Sequence, residues 1–112
     1  MSLDIWLTIE VDTGGDKPYT IQLYDTNMTH NVIPMWSKAG VYDALYNSEG
    51  KQASEILESL KAGVADMTSN PEDYKELNPD NGWGSYESAL YWLKQFTQAC
   101  NSHPKAVIGL WA

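Results

Sequence analysis

Between Leu3 and Val11 every odd position is apolar (Leu3, Ile5, Leu7, Ile9, Val11), while Asp4, Thr8 and Glu10 stand among the even ones. A repeat of two is the period of a strand with one face buried and one face free, so a sheet must be part of the fold. The run Asp12-Thr13-Gly14-Gly15-Asp16-Lys17-Pro18 is dense in turn formers, and Tyr19 to Asp25 resumes the alternation with Tyr19, Ile21 and Leu23 on one face. The two runs predict an antiparallel hairpin whose other face carries Trp6, Thr8, Gln22 and Tyr24. Two large aromatics then stand where an exposed sheet face is normally polar.

Beyond the hairpin the period changes. Asp25 to Asn31 reads as a polar loop entering a short helix, with Thr29 or Asn31 as its cap, Pro34 in the first turn and Gly40 closing it. Ala53, Ile56, Leu57, Leu60, Val64 and Met67 form the stripe of an amphipathic helix, which Gly63 weakens without removing. Asn70-Pro71-Glu72-Asp73 opens a short helix running to about Leu77. Asn78 to Gly84 is turn-rich, and Ser85 caps the main helix, whose stripe is Tyr86, Ala89, Leu90, Leu93, Phe96 and Cys100, bordered by Trp92, with Tyr91 opposite. Asn101 to Pro104 breaks that helix, and Ala106 to Trp111 reads as a third strand returning to the hairpin. The expected fold is α+β, one domain over residues 1–112, a small antiparallel sheet (N-terminal hairpin plus C-terminal strand) with helices packed on one face.

Charge narrows the function. Fifteen Asp and Glu face seven Lys, there is no Arg, and the net charge is -8. Direct nucleic-acid binding needs a basic footprint, so it is not expected, and anionic membranes are repelled for the same reason. An acidic surface steers encounter with basic proteins or cationic ligands. A single Cys, Cys100, permits no internal disulfide, and neither a basic leader nor a membrane-length apolar run is present. A cytoplasmic location follows as the expectation.

Five Trp and seven Tyr exceed what one small core needs, so some should meet a ligand or a partner. Two segments combine aromatics with hydrogen-bonding groups: Asp25 to Asn31, with Asn27, Thr29, His30 and Asn31, and Asn81 to Glu87, with Asn81, Gly82, Trp83, Ser85 and Tyr86. Both precede helix N-termini, where free N–H groups attract polar or anionic ligands. Capping and turn formation account for the same Asn, Thr, Ser and Gly residues, with Trp83 plugging the edge of the core.

Catalysis would require Asp25, His30, Ser85 and Glu87 to converge as a hydrolase-like site. Ser85 lacks a nucleophile elbow, and a helix cap is its commoner role. Cys100 and His103 have a metal-like spacing but no second pair to complete a zinc site, so neither metal nor cofactor is expected.

The segments Val11-Asp12-Thr13-Gly14-Gly15, Asn27-Met28-Thr29-His30-Asn31, Ala39-Gly40-Val41-Tyr42 and Asn78-Pro79-Asp80-Asn81-Gly82-Trp83-Gly84-Ser85-Tyr86-Glu87 resemble a group of small uncharacterised proteins from bacteria and their phages. The resemblance implies an accessory, phage-type role and brings no activity with it.

Three functional classes remain. The first is a non-catalytic binding protein that engages a protein partner or a small polar ligand through the two polar-aromatic loops. The second is the small enzyme. The third is a homo-oligomeric subunit joined through Trp6, Tyr24 and Trp111 on the outer sheet face.

Overall fold

A computed structural model describes all 112 residues. Strands β1 (Ser2–Val11) and β2 (Tyr19–Thr29) form the hairpin. A 3-10 turn over His30–Val32 leads into helices α1 (Ile33–Ala39) and α2 (Tyr42–Tyr46). The long helices α3 (Ala53–Ser69) and α5 (Tyr86–Ser102) flank the short α4 (Pro71–Lys75), and β3 (Val107–Trp111) closes the chain. The sheet is antiparallel, in the order β2-β1-β3, and the helices pack on one face of it.

The core follows the two periodicities. Leu3, Ile5 and Leu7 of β1 and Ile108 of β3 are buried beneath Ile56, Leu60 and Met67 of α3 and Ala89, Leu93 and Phe96 of α5. Burying one such aliphatic side chain contributes about 1.5–3 kcal/mol before the entropy of ordering is subtracted. Gly63 lies where α3 crosses Val41, since a Cβ there would fall 2.3 Å from Val41 Cγ1. The helix-weakening glycine therefore serves close packing.

Two expectations about β2 need correction. The strand does not end at Asp25 but continues to Thr29, and it contains a bulge. Thr8 pairs with Gln22 and Leu7 with Tyr24, leaving Leu23 as the extra residue. One extra residue reverses the parity, so Tyr24, Thr26 and Met28 follow Leu7, Ile5 and Leu3 onto the helix side. Tyr24 is therefore not on the outer face with Trp6 and Trp111; it packs half-buried with its ring 6.3 Å from that of Phe96. Thr26 Oγ1 accepts a 2.8 Å hydrogen bond from the Trp92 indole, tying α5 to the strand. Without the bulge, Asp25 and Asn27 would point beneath the helices, which burial of polar groups opposes.

The edges of the sheet differ. Along β3, Gly50 donates to Ile108 (2.8 Å), Ile108 to Lys51 (2.9 Å) and Ala53 to Ala106 (2.8 Å), so the segment before α3 closes that edge. Along β2, no element pairs with the side away from β1. From Glu10 through Gln22 every residue is exposed, so the hairpin projects as an arm. The molecule measures 53 × 26 × 19 Å, and its radius of gyration is 15.0 Å, against about 13 Å for a compact chain of this length.

Candidate functional site

The two polar-aromatic segments meet. At the end of β2, Thr29 Oγ1 accepts from the Asn31 amide (3.2 Å) and caps the 3-10 turn, while the His30 amide donates to the Met1 carbonyl at 3.2 Å. These bonds hold the Asn31 side chain toward the second loop. Its amide donates to Asn81 Oδ1 at 3.4 Å and to the Trp83 carbonyl at 3.2 Å. Asn81 Oδ1 also accepts from the Trp83 amide at 3.0 Å, so one Asn shapes the loop and the other anchors it.

Glycine makes the approach possible. Gly84 has φ 98°, and a Cβ there would lie 2.9 Å from both Thr29 Cγ2 and Val32 Cγ1. A side chain would be strained in its backbone and would also press the loops apart. Gly82, at φ 77°, supplies the preceding turn.

The result is a shallow groove of about 460 Å³ lined by Met1, Thr29, Asn31, Asn81 and Trp83. Trp83 is 73% exposed, so it does not plug the core edge. The bonds to its amide and carbonyl fix the Trp83 backbone, so part of the ordering cost of the loop is met in advance, and the exposed indole offers a stacking surface.

The other expected site residues lie elsewhere. Asn27 pairs with Asp4 on the outer sheet face. The His30 ring packs against Tyr46 at 5.7 Å, and its Nε2 is buried with no hydrogen-bond partner. Ser85 Oγ accepts from the Ser88 amide at 3.1 Å, and Ser88 Oγ from the Ser85 amide at 3.0 Å, a reciprocal cap at the start of α5. Tyr86 is buried and donates its hydroxyl to the Met67 carbonyl at 2.7 Å. No hydrogen bond or ion pair joins any two of Asp25, His30, Ser85 and Glu87; the ion pair in the molecule is Lys75 with Glu72, at 3.7 Å.

A second groove, of about 580 Å³, lies on the outer sheet face between Asp4, Trp6, Gln22, Asp25, Asn27 and Trp111. Trp6 is opposite Gly109 in the ladder, and a Cβ on Gly109 would fall 2.1 Å from the indole Nε1, so the ring occupies the space above that glycine. Trp111 is 73% exposed and stands opposite Asp4. Asp4 escaped attention in the sequence, and Asn27 was expected in a loop with Asn31, because their place beside Trp6 depends on β2 continuing past Asp25.

No helix is long and apolar enough to cross a membrane. Comparison of the chain with protein-family models, with curated proteins and with solved structures returns no match.

Proposed function

We propose that this chain is a non-catalytic binding protein, working in the cytoplasm, that engages a protein partner or a small polar ligand at the joined Asn31 and Trp83 loops. The observation carrying this reading is the bond from the Asn31 amide to the Trp83 carbonyl, which fixes the backbone that carries an exposed indole next to Asn31 and Asn81. Small-ligand and partner sites commonly combine a rigid aromatic surface with a few placed hydrogen-bonding groups. The capping of Ser85 by Ser88 and the inward turn of His30 favour binding over hydrolysis. A net charge of -8 favours a basic partner, with association slowing as salt rises. Such a partner suits an accessory, phage-type role.

The test uses the indole N–H resonances of the protein labelled with nitrogen-15, followed while fractionated cell extract and a panel of polar metabolites are added. The Trp83 resonance should shift first, and Trp83→Ala should abolish the interaction. A binder that leaves the Trp83 resonance in place and binds the variant equally well overturns the reading.

A further inference from the structure

The sheet has one closed edge and one open edge. The segment Gly50–Ala53 covers β3, whereas the eleven residues of β2 have β1 as their single backbone-pairing partner. Proteins usually blunt an edge with Lys, Pro or a covering element. β2 contains neither Lys nor Pro, its one charge is Asp25, and beyond the bulge the six residues Tyr24–Thr29 pair without interruption with β1. That stretch is about 20 Å of available backbone at 3.4 Å per residue.

The face beside this edge is acidic and aromatic. Asp4 and Asp25 lie on the outer side with Trp6, Gln22, Asn27 and Trp111, and no Lys lines the groove they share; Lys105 sits further along, beside Thr8 and Glu10. Neither Asp4 nor Asp25 is paired with a cation. The groove between them is lined by carboxylates, amides and the rings of Trp6 and Trp111, groups that attract ammonium and guanidinium ions.

We propose that an extended basic segment of a partner protein adds to β2 as a fourth strand and lays alternate Lys or Arg side chains into the outer groove. Backbone pairing along Tyr24–Thr29 supplies affinity, as in strand addition generally, and the groove supplies selection. Every second residue of the guest lands on the outer face, where the first carboxylate met is Asp25 and the next, one strand further in, is Asp4. The intervening residues fall on the helix side beside Tyr24, Thr26 and Met28, so small or β-branched apolar residues suit them. The open edge touches the Trp83 groove only at its end, Thr29, and the inference stands or falls separately from the reading of that groove.

The probe is a fluorescein-labelled peptide of about eight residues alternating Lys with Thr, compared by fluorescence anisotropy with a peptide of identical composition whose lysines are consecutive. The alternating peptide should bind at least about fivefold more tightly, and Asp4→Asn with Asp25→Asn should weaken it by a similar factor. Glu58→Gln with Glu76→Gln removes the same charge from exposed positions on α3 and in the turn after α4, and should change binding less than about twofold. Equal binding of the two peptides, equal weakening by the two double variants, or no binding overturns the proposal. So does a protein dimer, seen by sedimentation, that the peptide fails to dissociate, because the edge then belongs to a second copy.

Discussion

The Asn31 side-chain amide donates to the Trp83 carbonyl at 3.2 Å, joining positions 52 residues apart in the chain. Removing the amide in Asn31→Ala also removes the contact to Asn81. Both bonds are exposed, so the expected loss of stability is about 1 kcal/mol, or about 4–8 °C in Tm for a domain of this size. Calorimetry checks the value. Faster amide exchange confined to residues 79–84 would show that the loop loosens before the fold does.

Gly109 and Trp6 form a second coupled pair. Gly109→Ala places a methyl group where the indole now lies, and overpacking of this kind costs about 1–3 kcal/mol. In a Trp6→Ala background the same change should cost far less, since the obstructing ring is gone. A double-mutant cycle by urea denaturation measures the difference, and strictly additive costs would contradict the geometry.

The end of α3 depends on a tyrosine from another helix. The Met67 carbonyl would accept from the amide of residue 71, which is Pro71 and has none; the Tyr86 hydroxyl donates to it instead at 2.7 Å. Tyr86→Phe should therefore destabilise by about 1–3 kcal/mol, because a buried carbonyl loses its partner while the ring packing is kept. Fluorescence-detected unfolding would report it.

Alkaline conditions should weaken the protein in a defined window. Burial, reinforced by Tyr42, pushes the Tyr46 hydroxyl from 10.0 up to about 12, and burial pushes the Cys100 thiol from 9.0 up to about 12. Each group has a folded pKa above its unfolded one. The folded state therefore keeps protons that the unfolded chain releases, and stability present below pH 9 is lost progressively as pH rises toward 12. Urea midpoints across that range should fall, and Tyr46→Phe should flatten the part above pH 10.

Much of this architecture was legible in the sequence. The two periods located both long helices and all three strands, and the turn formers located the breaks between them. The cap at Ser85 and the exposed Tyr91 also follow from spacing, whereas the shared face of Trp6 and Trp111 rests on the register of β3 against β1. The bulge at Leu23 did not, because a single inserted residue is a property of pairing and leaves no mark in the alternation of one strand. It hid the place of Tyr24 and the continuation of β2 to Thr29. Both candidate loops were visible as residues, while their junction was not, since a contact between Asn31 and Asn81 depends on how β2 and α5 come together.

The projecting hairpin gives the molecule an adjustable reach. From Glu10 to Gln22 its side chains are exposed, so the length of the arm is not dictated by the helical body. Adding one residue to each strand near the tip would lengthen it by about 3.4 Å and turn the sequence beyond by one pleat. Adding two to each would lengthen it by about 7 Å with every side chain still facing as before. Insertions in matched pairs are thus a route by which such a chain could change what it touches at a distance while its interior stays the same.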